Sequence, residues 1–407
     1  MYSDRRKRGK LFYGYIVTIA TFLIQLLSFG LHPTFGIFFV QLSSEFGWTR
    51  AVTSGSYSLN VLTFGLLGIV GGKLNDRFSP RFVMTIFFIL FGLGYALMSQ
   101  INSIWQFYLF YGVILGTGMG GTEVPVLSTL ARWFVKKRGI MTGIAKVGAG
   151  LGALSMPFVT YWLISSYGWR NAYLVVGLAS MVILISAAQF LKRDPSQIGQ
   201  LPDGDTVIME DSPALEIKGL STQQAIHTRQ FWLIGGMFFF YDVCVSTIMI
   251  HIYPHAIDLG IPASTATNFL ASAGGVSIVG RVVMGSASDR IGNKLAIIID
   301  LSILSVSLLW LLVADEVWML YLFAALYGFA YGGLFTLLSP MVAKQFGLDS
   351  HGTIFGSIFF IGLIGASISP VTVGYIFDVT GSYHLGFILI AVASIIATSL
   401  MVGIKNK

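Results

Sequence analysis

A shift of 213 residues lays the punctuation of this chain onto itself. Gly72, Asp76 and Arg77 fall on Gly285, Asp289 and Arg290, while Gly139, Gly143, Gly152, Pro157 and Gly168 fall on Gly352, Gly356, Gly365, Pro370 and Gly381. With one residue of slip, Gly116, Gly120 and Gly121 fall on Gly328, Gly332 and Gly333, and Ala131-Arg132 on Ala343-Lys344. A period near half the chain is too long for a solenoid unit. In an apolar chain it means two homologous membrane halves with a site between them.

The chain is apolar enough. Its mean hydropathy is +0.77 and 11% of its residues are charged, against about 25% in a soluble protein. Stretches near or above the ~18-residue spanning threshold recur along its length. Twelve are expected, at 12–40, 51–72, 82–99, 105–131, 140–164, 170–191, 230–257, 265–288, 294–313, 317–342, 352–376 and 384–404. The expected architecture is an all-α membrane protein of twelve spans in two pseudo-symmetric halves, 1–192 and 229–407, joined by a polar linker over 193–228. Glycine, at 47 residues, lets helix backbones approach where burial supplies no driving force between helices.

The formal charge of +7 is a topology signal and not a nucleic-acid signal. Twenty-one of the 25 Lys and Arg fall on one side: Arg5 to Lys10, Lys73, Arg77, Arg81, Arg132, Lys136, Lys137, Arg138, Lys192, Arg193, Lys218, Arg229, Arg290, Lys294, Lys344, Lys405 and Lys407. The other side holds Arg50 and Arg170. The positive-inside rule then puts both termini in the cytoplasm of a multi-pass protein of the cell (inner) membrane. Arg5–Arg8 read as an orientation signal, with contact to anionic lipid as the alternative. The basic-then-apolar start has a run too long for a signal-peptide core, so it is expected to stay as the first span. The single cysteine, Cys244, allows no intrachain disulfide. The loops on the far side are too short to form a domain that would bind a macromolecule.

The stretches Gly72-Lys-Leu-Asn-Asp76-Arg77-Phe-Ser-Pro-Arg81 and Gly285-Ser-Ala-Ser-Asp289-Arg290-Ile-Gly-Asn-Lys294 resemble the loop signature of the major facilitator superfamily, one copy per half. Ser79 stands where a glycine is usual. The resemblance implies gating of the cytoplasmic side by Asp76, Arg77, Asp289 and Arg290; topology anchoring is the plainer reading for the two arginines. Phe38 to Arg50 and Arg132-Trp133-Phe134-Val-Lys136-Lys137-Arg138-Gly139 are similar to the monocarboxylate transporter family and the related oxalate/formate antiporter group. His251-Ile-Tyr-Pro254 and Asp258-Leu-Gly260 resemble bacterial members.

Five ionisable residues lie well inside apolar runs: Glu123, Lys146, Asp242, Arg281 and Asp300. Each costs roughly +2.5–3.5 kcal/mol on insertion scales and is a functional candidate by default. The family resemblance puts a substrate-carboxylate arginine at Arg281, whose fork holds a carboxylate bidentately; a structural ion pair is the alternative. Eukaryotic relatives carry an aspartate four residues earlier, where this chain has Ser277, so Asp242 is a candidate replacement from the neighbouring span. Asp242 and Glu123 are the candidate proton carriers. At 1.5 Å rise per residue Glu123 and Lys146 come to similar depth, as an ion pair or with Lys146 as a second substrate cation. The lysine of the oxalate antiporter's eleventh helix has no counterpart here. Asp300 is expected at the periphery, and His251 and His255 as interface caps or proton relays. Tyr241, Tyr327, Tyr331, Phe335 and Phe359 are candidate cavity lining.

The expected function is secondary transport of small lactate- or pyruvate-like monocarboxylates with a proton, by alternating access, in a chain that works as a monomer. The alternative is anion exchange of the oxalate/formate or dicarboxylate type. No P-loop, catalytic triad or metal motif suggests an enzyme, no cofactor is implied, and a transport-like sensor would carry an added domain.

Overall fold

The structure, a computed structural model, describes residues 12–134, 137–204, 220–347 and 350–404, apart from the side chains at 73, 76, 138 and 139. The basic residues Arg5–Lys10, Lys136, Lys218, Lys405 and Lys407 and part of the expected linker lie outside them.

The described residues are helical, with no strand among them. Twelve spanning segments follow the hydropathy. They are α1 (Gly14–Phe46), α2 (Arg50–Arg77), α3 (Pro80–Met98), α4 (104–133), α5 (138–167), α6 (169–189), α7 (Arg229–Asp258), α8 (Ala263–Ile291), α9 (Asn293–Leu311), α10 (Val317–Phe346), α11 (His351–Thr380) and α12 (His384–Val402). Large apolar side chains such as Ile86, Val182, Val306 and Val392 stay exposed along their outer faces, which fits a lipid solvent and not water.

Four spans depart from the uniform, separate helices that hydropathy suggests. α1 runs on to Phe46, past the expected end at 40, and breaks at His32-Pro33-Thr34, where a proline has no N–H to give. It stops at Gly47, whose φ of 64° is left-handed. α5 and α6 continue into one another through Gly168, at φ 76° and ψ 160°, a conformation open essentially to glycine alone. α4 is assembled from Ile104–Phe107, a π-helical turn Tyr108–Leu115, Gly116–Met119 and Val124–Trp133. It is not helical over 120–123, because Pro125 offers no N–H to the carbonyl of residue 121 and the two glycines add little helix propensity.

The repeat is a repeat of contacts. α1 packs along α5 as α7 packs along α11, and α8 packs along α10 as α2 does along α4. A Cβ at Gly152 would strike the Leu26 carbonyl, and one at Gly365 would strike that of Phe239. Gly116 lies on Asn60 as Gly328 lies on Ala273. The pair Gly152 with Leu26 and the pair Gly365 with Phe239 are 213 residues apart, and Gly116 to Gly328 keeps the one-residue slip. Each half keeps its own apolar core, and the halves meet along α2–α11, α5–α8 and the far end of α1 on α7.

Candidate functional site

Between the halves, at a similar depth, stand the side chains that cost most to put in a membrane. Glu123 is the last residue of the gap in α4 and caps the helix that resumes at Val124, with φ −109° and ψ −75°. The break swings its carboxylate toward α1 and α5. One oxygen, Oε1, pairs with Lys146 Nζ of α5. The other, Oε2, accepts from Gln25 Nε2 of α1 at 3.2 Å, and the same Nε2 donates to the Thr122 carbonyl at 3.0 Å. The expected Glu123–Lys146 pair is therefore formed, and Gln25 is a third member that hydropathy and charge do not single out. Its signal in the sequence is a lone amide in the apolar run Ile24-Gln25-Leu26-Leu27. Lys146 also lies 5.2 Å from the centre of the Phe29 ring, a cation–π approach.

Arg281 of α8 reaches across from the other half. Its Nη1 donates to the Lys146 carbonyl at 2.6 Å, and its Nε is buried with no partner. No carboxylate pairs with Arg281 among the described residues. The proposed replacement of the missing aspartate by Asp242 does not form here: Asp242 makes no ion pair among the described residues. The reason lies in the packing. α7 runs along α11, and the Asp242 carboxylate lies against Gly362 of that helix, away from α8.

The aromatic candidates form a band across the site. Phe29 meets Phe64 edge-on, Phe64 meets Phe359, and Phe359 meets Phe238. Phe238 continues to Phe335, and Phe335 to Tyr331 and Tyr241. Tyr331 is within electrostatic reach of Arg281, Asp242 and Glu123. Tyr241 donates to the Tyr331 carbonyl at 3.0 Å, and Tyr327 stacks on Tyr331 at 6.2 Å. Above this band a small apolar cavity is lined by Pro33, Ala153, Met249, Phe269 and Tyr327.

The two faces of the molecule differ. On the face away from the chain ends, the halves are tied together. Asp378 of α11 accepts the backbone N–H groups of Arg50 and Ala51 at 2.8 Å each, at the N-terminus of α2. Arg50 pairs with Asp258 of α7 at 2.8 Å, donates to the Tyr383 hydroxyl, and lies 3.9 Å from the Phe377 ring centre. His251 is buried beside them, 3.1 Å from the Tyr383 hydroxyl and 2.9 Å from the Pro370 carbonyl. It is an inner part of this seal, where an interface cap was expected. On the face that carries the chain ends, a Cβ at Gly143 of α5, or at Gly352 or Gly356 of α11, would meet nothing within 4 Å. Arg77, Asp289 and Arg290 are exposed there, with no ion pair among the described residues; the Asp76 side chain lies outside them. Asp300, expected to be structural on a helix peripheral to the cavity, is 1% exposed, and its carboxylate packs against Gly333 of α10.

Two six-helix bundles related by a pseudo-two-fold, with ions gathered between them at mid-depth and one face closed, have the build of a multi-pass membrane transporter. The chain belongs to the Major Facilitator Superfamily, whose family model matches residues 17–303 and 246–405. Curated relatives include monocarboxylate transporter 13 of Rattus norvegicus, 28% identical over 93% of this chain and 85% of its own length. Monocarboxylate transporter 11 of Homo sapiens is 27% identical over 93% of this chain and 80% of its own. An uncharacterised transporter of the superfamily from Escherichia coli, YhjX, is 25% identical over 84% and 83%. Among solved structures, a bacterial homologue of the human lysosomal transporter Spinster, inward-facing and unoccupied, matches with a TM-score of 0.74 at 15% identity, over 97% of each chain. The monocarboxylate-transporter resemblance carried by two short stretches thus extends over nearly the whole chain.

Proposed function

We propose that this transporter carries a small monocarboxylate together with a proton across the cell membrane by alternating access. The observation that carries the reading is Arg281. It is a permanent cation at mid-depth on the seam between the halves, with a buried, unpartnered Nε and no carboxylate beside it. Such a group favours an incoming carboxylate, which its fork accepts bidentately. Tyr331, Phe335 and Phe359 line the remainder of the site, which suits a short organic acid with an apolar end. The proton goes to an acid facing the site, Asp242 or Glu123. An acid anion and a proton moving together carry no net charge against a potential that costs about 2.3 kcal/mol per charge per 100 mV.

With the basic loops and both termini in the cytoplasm, the face closed by Arg50, Asp258, Asp378 and Tyr383 is external and the conformation is inward-facing. The Asp76 and Asp289 loops would close the cytoplasmic face in the other state. A second reading, exchange of dicarboxylates, draws on Lys146, a second cation joined to Arg281 through its own carbonyl. The deciding experiment uses proteoliposomes. Uptake of labelled lactate or pyruvate driven by an inward proton gradient alone, abolished by Arg281→Ala in a monodisperse protein, is the expected result. Efflux only when a second anion is supplied outside would replace symport with exchange, and wild-type uptake by Arg281→Ala would remove the anchor.

A further inference from the structure

We infer that Glu123 is an internal stand-in for the substrate carboxylate, that substrate displaces it from Lys146 only when it takes up a proton, and that Gln25 is the positioning residue for this exchange. The inference rests on the proposed carboxylate transport and narrows it: it names which acid carries the proton and how the carrier enforces coupling.

The geometry is that of an occupied anion site. One Glu123 oxygen lies on an ammonium, the other on an amide N–H, which is how a bound carboxylate would be held. The residue is 8% exposed, so its charge depends on these partners; removing one partner of a buried pair leaves the other uncompensated. It occupies this position because α4 is broken over 120–123, which also frees the Thr122 carbonyl that Gln25 caps. Among the described residues, the charged and titratable groups recorded around it are Lys146 of α5, Arg281 of α8 and Tyr331 of α10, all of the proposed site. α1 adds only the uncharged Gln25, and the contacts from α2 and α3 at Gly120 and Gly121 are the apolar Leu67 and Phe87.

An ionised Glu123 competes with substrate for the same cation. A proton from solvent on Glu123 Oε1 breaks the pair with Lys146 Nζ, and the substrate carboxylate held by the Arg281 fork takes that place on Lys146 as well. The site holds Lys⁺ and one carboxylate before and after, so its net charge is the same empty and loaded, and the empty carrier can reorient without an uncompensated cation. The protonated acid then needs an acceptor for its O–H. Gln25 is 0% exposed, and its Oε1 is buried and idle; rotation of the amide presents it to Glu123.

The test measures protons and carboxylate together. Purified protein in weak buffer is titrated with lactate or pyruvate, and the pH change is followed beside binding. Wild type is expected to take up one proton per carboxylate bound, and wherever it does so affinity weakens about tenfold per pH unit. Glu123→Gln is expected to bind with no proton uptake and a flat pH profile. In proteoliposomes its net uptake driven by a proton gradient, taken relative to its own counterflow, should fall at least about tenfold below the wild-type ratio. Gln25→Leu should keep one proton per carboxylate but move the midpoint of the pH profile, and Gln25→Asn should move it less. Proton uptake by Glu123→Gln equal to wild type overturns the inference and leaves the carboxylate reading standing. Absence of any carboxylate binding by wild type overturns that reading instead. Should Glu123→Gln fail to fold, Glu123→Asp, with a shorter reach, must shift the pH profile; an unshifted profile is equally fatal.

Discussion

At the scale of single residues, the site divides its work among groups that are not interchangeable. Arg281 spends one nitrogen on the Lys146 carbonyl and leaves Nε unpartnered. An ammonium is a point charge and cannot keep that carbonyl and also present a planar fork to a carboxylate. Arg281→Lys is therefore expected to lower carboxylate affinity at least about tenfold, measured by thermal shift or fluorescence titration, although the charge is kept. Asp242 has no cation beside it among the described residues, and on the inference above the coupling proton goes to Glu123. Asp242→Asn should thus keep acid-stimulated uptake; a pH-independent Asp242→Asn would move the proton to α7. The charged members of this group were legible in the sequence because an ion inside an apolar run stands out. Their pairing was legible only for Glu123 and Lys146, whose depth follows from chain counting. The direction in which Asp242 points depends on α7 packing along α11, which no count along one chain reveals, and Gln25 carries no charge to mark it.

At the scale of elements, the glycine pattern carried most of the fold. The 213-residue repeat of close approaches, Gly152 on Leu26 and Gly365 on Phe239, is the same packing rule written twice. What hydropathy missed are interruptions inside apolar runs: the gap over 120–123 in α4 is Gly120-Gly121-Thr122-Glu123 between apolar stretches, and only Pro125 and the two glycines hint at it. Gly168 shows how much one such position supports, since its φ of 76° and ψ of 160° cost a residue with a Cβ roughly 1–3 kcal/mol. Gly168→Ala should lower the melting temperature in detergent while carboxylate affinity per folded molecule stays unchanged; an unaltered melting temperature would mean the α5–α6 turn relaxes freely. The halves also diverge element by element. Gly121 receives the Phe87 ring where Gly333 receives the Asp300 carboxylate, so the same notch is filled by an apolar ring in one half and by a carboxylate in the other.

At the scale of the whole molecule, one face is closed by charge and the other stands open. Arg50 and the Asp378 cap must separate from each other before the far face opens. Arg50→Ala is expected to raise the fraction of time that face is open. With Cys244, the single native cysteine, replaced by serine and Ser54→Cys placed beside His251, an impermeant thiol reagent applied from that side should label Arg50→Ala about tenfold faster than its Arg50 parent. Equal rates would assign the seal to the apolar approach of α2 and α11 at Gly374. A closure of this kind has a consequence outside the protein. Its ions are partly wet, with the Arg50 and Asp258 side chains 18% and 36% exposed, and dissolved electrolyte screens such pairs and solvates them once parted. The resting balance of the carrier would then follow the salinity of the medium around the cell, opening more readily in brine than in fresh water with no change in substrate or proton supply.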